Sequence, residues 1–400
     1  MSDSEYVVKR STRTFDLWPQ GRPNLTNLDI ELTERCNNAC LHCYINRPAD
    51  DLNAQERELA TPEWQSILRQ AADLGVLTLR ITGGEPLLRQ DFADLYIFAR
   101  RLGMKVQLYT NARLITPEIA DLFSHLPPLE KIEITVYGLH PESYDAAACA
   151  PGAYLEFRRG VELLLERGVP FLVKGALLPP NRSEVDEFEA WAASLPWMDE
   201  PPAFSMNFDL RGRHDSPARN HLIQRLRLSP EETADFLARR GEHYLKEMQQ
   251  FCGRFIGPSG SDLFTCGAGQ EVNVDAYGLL QACMLLRDPS LAYDLRSISL
   301  RQALENFASR LPAVKAANPA YLERCARCFL HGLCEQCPAK SWSEHGTLDT
   351  PVEYFCQVAH AQARHLGLLA EGENAWEVTD WKERLDRFTA GALAKPSLTE

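Results

Sequence analysis

At 400 residues, with 45% apolar and 24% charged side chains, the chain can bury a large core and has the balance of a globular protein of two domains. A formal charge of -13 argues against a general phosphate-binding surface, and the polar start Met1-Ser2-Asp3-Ser4-Glu5 with no long apolar run argues against a signal peptide or a membrane span. The expectation is a cytoplasmic protein without nucleic-acid or membrane partners, whose 12 cysteines serve metal rather than disulfides.

Residues 1–25 read as a polar arm closing in Gly21-Arg22-Pro23-Asn24. A first strand is expected at 28–32, and it runs into Cys36-Asn37-Asn38-Ala39-Cys40-Leu41-His42-Cys43, a C-x3-C-x2-C arrangement. Three thiolates can hold three irons of a four-iron cube and leave the fourth open. A zinc knuckle with His42 as fourth ligand is the alternative, although the spacing departs from paired C-x2-C.

Further strands are expected at 77–81, 105–109, 131–137, 170–177 and 203–209, with helices at 62–74, 91–102, 117–123, 154–167 and 184–195. Six β-α units in succession predict a parallel sheet with right-handed crossovers, which a partial barrel and a doubly wound sheet satisfy equally. Either way the site lies beyond the carboxyl ends of the strands, where the three cysteines fall. Thr82-Gly83-Gly84-Glu85-Pro86 follows the second strand. Its glycines let backbone approach a ligand, or simply make a tight turn. Thr110-Asn111 follows the third strand and Thr135-Val136-Tyr137-Gly138 closes the fourth. Lys174, inside the fifth, either meets a carboxylate in the barrel interior or faces solvent.

The basic run Arg211-Gly212-Arg213-His214-Asp215-Ser216-Pro217-Ala218-Arg219 after the sixth strand is either solvated or in touch with substrate. Ser229-Pro230-Glu231-Glu232 starts a helix expected to run to about residue 250 as a bridge to a second domain. Beyond it come Cys252, Cys266, Cys283, Cys325, Cys328, Cys334, Cys337 and Cys356, with the pairs Cys325-Ala-Arg-Cys328 and Cys334-Glu-Gln-Cys337 as metal knuckles. In isolation those pairs also fit a zinc ribbon. Cys149, alone among alanines, reads as a small core residue. The expected division is an arm at 1–25, a core at 26–228, a bridging helix at 229–250, a cysteine-rich domain at 251–365 and a tail at 366–400 bearing Trp376 and Trp381.

The C-x3-C-x2-C run followed by Tyr44, with Gly83-Gly84-Glu85-Pro86 one β-α unit later, resembles the radical S-adenosylmethionine (radical SAM) enzymes. The later series, Cys266, eleven residues, Gly278, four residues, Cys283, then the knuckles and Cys356, resembles the SPASM extension of that family. The chain departs from the extension's pattern by having two residues rather than three before Cys337. The resemblance implies an α/β fold with a partial (β/α)6 TIM-like barrel and a C-terminal SPASM domain. It implies a 4Fe-4S cluster on Cys36, Cys40 and Cys43, and S-adenosylmethionine contacts from Gly83, Gly84, Glu85, Pro86, Asn111, Thr135 and Tyr44. Two auxiliary clusters are implied, one on Cys266, Cys283 and Cys337 with Cys252 as a fourth ligand, the other on Cys325, Cys328, Cys334 and Cys356. If Cys252 is an apolar core thiol instead, the first of these has an open iron or a non-cysteine ligand.

What the resemblance implies for function is reductive cleavage of S-adenosylmethionine to a 5'-deoxyadenosyl radical that crosslinks or oxidises a peptide or protein. A sulfatase-type protein oxidase and a haem-pathway decarboxylase are the enzymatic alternatives, and an iron-sulfur electron-transfer or scaffold protein is the non-enzymatic one. The implied partners are the peptide, a flavodoxin or ferredoxin as electron donor and, because only 35 residues precede Cys36, a separate leader-peptide-binding protein. No residue stands out as a general base.

Overall fold

The computed structural model describes residues 25–266 and 268–390, so the amino-terminal arm apart from Leu25 and the last residues of the tail lie outside the described residues. Met1–Leu226 with Gly267–Arg310 form one compact unit, and Arg227–Cys266 with Leu311–Glu400 form a second. Among the described residues no helix is long and apolar enough to cross a membrane.

In the first unit the strands are β1 (Asn27–Glu31), β2 (Thr78–Thr82), β3 (Lys105–Thr110), β4 (Ile132–Val136), β5 (Phe171–Ala176), β6 (Phe204–Ser205), β7 (Val272–Val274), β8 (Leu279–Gln281) and β9 (Ala292–Asp294). They make one sheet in the order β9-β8-β7-β1-β2-β3-β4-β5-β6. The six strands from β1 to β6 are parallel and follow the chain, as β-α crossovers of one hand require. Between them lie α1 (Leu52–Arg57), α2 (Thr61–Asp73), α3 (Phe92–Arg101), α4 (Pro117–His125), α5 (Pro141–Ala148), α6 (Ala153–Glu166) and α7 (Val185–Ala193), with α8 (Pro217–Leu226) after β6. Local chemistry sets these elements: in α2, Pro62 occupies the first turn, Glu63 reaches back to the Ala60 N–H at 2.7 Å, and Trp64, Ile67, Leu68 and Ala71 form the buried stripe.

Two features depart from the sequence reading. β6 holds only two paired residues rather than the expected 203–209, with Pro201 and Pro202 just upstream unable to donate to a ladder. The segment 272–294, not expected as strand, forms the hairpin β7-β8 and then β9, and β7 adds in parallel to the free edge of β1. Residues 268–310, read from sequence as cysteine-rich domain, thus pack with the barrel strands.

Each core strand is apolar on one face. Leu28 and Ile30, Leu79 and Ile81, Val106 and Leu108, Ile132 and Ile134, and Phe171 and Val173 are all buried. The alternate residues are polar and pair across strands. Arg80 reaches Asp29 at 2.8 Å and lies 5.3 Å from the Tyr109 ring, while Lys174 pairs with Glu133 and sits 4.4 Å from the same ring. Of the two readings of Lys174, the carboxylate partner is the one realised.

The second unit begins with α9 (Pro230–Ala238), capped reciprocally by Ser229 and Glu232. The helix expected through residue 250 breaks at Gly241, whose φ of +56° lies outside helical space, and resumes as α10 (Glu242–Phe255). α11 (Leu300–Arg310) belongs to the first unit. In the second unit α12 (Pro319–Glu323), α13 (Pro338–His345), α14 (Glu353–His365) and α15 (Trp381–Thr389) follow. The tail packs within this unit: Trp381 stacks on Phe329 at 6.0 Å and Gln249 donates to the Phe388 carbonyl at 3.0 Å.

Candidate metal centre and cofactor site

The Cys36–Cys43 loop leaves the carboxyl end of β1 and is fixed at several points. Arg35–Cys36 pairs in parallel with Arg47–Pro48, which closes the loop at its base. The Ala39 and Leu41 amides donate to the carbonyls of Ala148 and Ala147 at 2.9 and 3.2 Å, using groups that the end of α5 leaves unpaired. Cys36 and Cys40 are buried and Cys43 is half-buried.

Donors are aimed at the sulfurs. The Asn38 amide lies 3.4 Å from Cys36 Sγ, the Asn46 amide 3.4 Å from Cys43 Sγ, and Asn111 Nδ2 3.8 Å from Cys36 Sγ. The Tyr137 side chain lies beside Cys40 and acts to lower its thiol. Burial, then the negative charges of Glu85, Cys40 and Cys43, pushes the Cys36 thiol well above its ordinary range, and burial with Cys43 pushes Cys40 up to about 12. Thiols so placed keep their protons until a cation replaces them, while the donors around them favour bound thiolate. The residues therefore fit a positively charged iron cluster. His42, the alternative zinc ligand, instead packs its ring 4.6 Å from Phe208, and burial with the nearby Arg219 charge lowers it to about 4.

The Gly83-Gly84-Glu85-Pro86 turn braces this loop. A Cβ on Gly83 would lie 2.2 Å from the Thr33 carbonyl oxygen, and one on Gly84 2.2 Å from that of Arg35. Their missing side chains let two stretches of backbone touch, with Gly84 N donating to Thr33 O at 2.6 Å and Glu85 N to Arg35 O at 2.9 Å. This close approach is to the chain leading into Cys36. Glu85 is fully buried and accepts from Thr110 Oγ1 at 2.9 Å, Asn111 N at 2.8 Å and Leu87 N at 3.1 Å. Burial pushes it up to about 7 against those three donors. Pro86 opens the 3-10 turn Pro86–Leu88.

Asn111 joins this brace to the cysteines, since its Nδ2 also donates to Asn37 Oδ1 at 2.8 Å. Tyr44 turns its hydroxyl to Met284 Sδ at 3.2 Å, and Thr135 lies half-buried on β4, in register with Lys174. Sequence reasoning missed Tyr137 and Arg113 as partners of this loop. Arg113 donates to Asn37 O and Asn38 Oδ1 and pairs with Glu156 at 2.7 Å. Only its place two residues beyond a strand-end asparagine could have pointed to it.

In the second unit Cys325, Cys328, Cys334 and Cys356 line one pocket with His331, Gln336, His360 and Trp376. Burial and then their neighbouring thiolates push Cys325 and Cys328 up to about 12 and raise Cys334 well above its ordinary range. The Gln336 amide lies 3.4 Å from Cys334 Sγ, and Arg324 Nη2 lies 3.6 Å from Cys356 Sγ. Among the described residues no trio of Cys, His, Asp or Glu converges as closely as a single ion with bonds of ~2.3 Å would require. Thiolates that bind separate irons of a cube stand further apart.

The remaining cysteines divide. Cys266 is exposed and Cys337 caps α13, both in the second unit, and Cys283 follows β8 in the first. Cys252 is fully buried on α10 among Tyr244, Phe329, Leu330 and Leu366, and burial alone pushes it up to about 11. Cys149 is exposed rather than in the core. It caps α5 in the left-handed region at φ +48°, where the chain turns outward.

A model of the radical SAM superfamily matches residues 30–192. The chain is 26% identical over 333 residues to the AdoMet-dependent heme synthase of Methanosarcina barkeri, covering 79% of this chain and 92% of that one. It is 32% identical over 195 residues to the PqqA peptide cyclase of Rhizobium meliloti, covering 49% of this chain and only half (50%) of that one. Among solved structures, anSMEcpe with bound AdoMet and the Cp18Cys peptide superposes with a TM-score of 0.61 at 14% identity, over 92% of this chain and 100% of that one. SuiB of Streptococcus suis bound to S-adenosylmethionine gives 0.56 at 16%, over 84% and 75%. The cysteine loop and the glutamate brace both fall inside the matched segment, and residues 30–192 are a radical SAM domain.

Proposed function

We propose that the chain reductively cleaves S-adenosylmethionine and uses the product radical to modify a peptide or protein. The observation that carries this reading is the placing of Cys36, Cys40 and Cys43 on one pinned loop, with N–H donors at the sulfurs of Cys36 and Cys43. When bound, a 4Fe-4S cluster with S-adenosylmethionine supplies the electron and the sulfonium whose cleavage gives a 5'-deoxyadenosyl radical. The three thiolates hold three irons and leave one position for the cofactor. Asn111, fixed by its bond to Asn37, keeps a donor on Cys36, and the brace through Glu85 holds the ends of β2 and β3 against the loop. Burial of Cys36 and Cys40 excludes water from the ligands.

In this reading Cys325, Cys328, Cys334 and Cys356 hold one auxiliary cluster of a SPASM domain, and Cys266, Cys283 and Cys337 contribute to another. Cys252, sealed in an apolar cluster, is a core thiol, so the latter cluster has an open iron or a ligand other than cysteine. Gly83, Gly84, Pro86, Thr135 and Tyr44 are carried as cofactor contacts by resemblance.

The peptide class of substrate is supported by the identity to PqqA peptide cyclases, 32% and 35% in two of them, and by the likeness to anSMEcpe crystallised with a peptide. A haem-pathway reaction is the second reading, because the heme synthase aligns over 79% of the chain. A flavodoxin or ferredoxin donor and a separate leader-binding protein complete the proposal. The test is anaerobic reconstitution and reduction with S-adenosylmethionine. We expect 5'-deoxyadenosine from the wild type, none from C36A, C40A or C43A, and about twelve irons per chain. A crosslink or aldehyde in a supplied peptide supports the first reading, and carbon dioxide released from a porphyrin propionate the second. Absence of cleavage by a protein that holds its irons would sink both.

A further inference from the structure

The basic segment after β6 is turned toward the cysteine loop. Arg219 Nη2 donates to the Cys40 carbonyl at 2.7 Å and to Asn46 Oδ1 at 3.4 Å. Arg211, itself buried, donates to the carbonyls of Cys43 at 3.4 Å and Asn46 at 3.3 Å. The two differ in charge balance. Arg211 is clasped by both oxygens of Asp215 at 2.7 Å, so its charge is largely cancelled. Among the described residues Arg219 has no carboxylate within ion-pair distance, and its partners are a carbonyl and an amide oxygen.

We propose that Arg211 and Arg219 are positioning residues of the cysteine loop with separate tasks, and that the unbalanced charge of Arg219 raises the reduction potential of the cluster this loop would carry. The inference rests on the proposed assignment of that cluster to Cys36, Cys40 and Cys43. An electron added to a cube on three thiolates increases an already negative charge, so a fixed cation a few ångströms from a ligand favours the reduced form. Partial burial keeps water and salt from screening it. Arg211, neutralised by Asp215, contributes geometry, tying the carbonyls at the far end of the loop to the chain after β6. The segment 211–219 thus serves the cluster rather than the substrate.

The test compares reconstituted full-length wild type with R219Q, R219K and R211Q by iron content, loss of iron to a chelator, and EPR-monitored redox titration of the signal that S-adenosylmethionine perturbs. We expect R219Q to titrate at a more negative potential than wild type and R219K close to wild type. R211Q should keep the potential but lose iron severalfold faster. A cluster held by R219K and not by R219Q also supports the role of charge. The inference is overturned if R219Q titrates with wild type, if Gln and Lys at 219 shift together or both lose the cluster, or if R219Q weakens peptide binding at an unchanged potential. A wild type with no signal that responds to S-adenosylmethionine would overturn the cluster assignment itself.

Discussion

The backbone N–H of Asn111 lies 2.8 Å from Oε2 of Glu85, so the turn after β2 is bonded to the end of β3 through a buried carboxylate. Asn111 in turn donates to Cys36 Sγ and Asn37 Oδ1, which makes Glu85 one step removed from a metal ligand. In E85Q the amide nitrogen must face a donor, most directly the Asn111 N–H, at a cost of about 1–3 kcal/mol.

The pH dependence has a definite sign. Glu85 titrates near 7 in the folded chain against an ordinary 4.5, so between those values the native state holds a proton that the unfolded chain has released. Stability from this group is full below about 4.5 and declines as pH rises to about 7. Urea unfolding of wild type and E85Q across pH 5–8 should show the advantage of wild type narrowing toward alkaline pH. An advantage that widened would contradict the assignment.

Alanine at Gly83 or Gly84 places a methyl 2.2 Å from a carbonyl oxygen of Thr33 or Arg35, and backbone cannot move aside as a side-chain tip can. Each substitution should cost more than about 3 kcal/mol, at or beyond the upper end of overpacking penalties. Thermal unfolding together with iron uptake reads this out. A variant that folds normally yet binds S-adenosylmethionine poorly would return these glycines to the role of ligand contacts.

Removal of the Cys252 sulfur leaves a small apolar void on α10, so C252A should lose about 1 kcal/mol and keep the wild-type iron content. C334A should lose about four irons under the same reconstitution. Iron and sulfide analysis of the two variants separates a core thiol from a ligand.

Cys149 holds φ +48° and ψ +45°, a conformation that costs an ordinary L-residue about 1–2 kcal/mol and asparagine less. Its side chain is exposed and gains little from burial. C149N should raise stability by about 1 kcal/mol and leave S-adenosylmethionine cleavage unchanged, as chemical denaturation and deoxyadenosine assays would show.

The strands from β1 to β5 were legible because their apolar residues alternate, and α2, α3, α4, α6 and α7 because their apolar stripes repeat locally, whereas the short α5 was not expected. The hairpin 272–281 was not legible: its strands hold three residues each, and β7 is fixed by pairing with β1, more than 240 positions away in the chain. The break at Gly241 was hidden because the amphipathic pattern continues on both sides of it.

The spacing of Cys36, Cys40 and Cys43 marked them as candidate ligands of one cube, since spacing along a short loop fixes which sulfurs can reach it, while the grouping of the later cysteines came from the family resemblance. Only the tertiary structure decided what surrounds them. Cys252 and Cys334 are equivalent as letters, yet one is sealed among Tyr244 and Phe329 and the other faces a cavity shared with three thiols. Arg219 meets Cys40 across 179 positions for the same reason: which charge faces which ligand depends on how distant segments pack, and that lies beyond the reach of any local pattern.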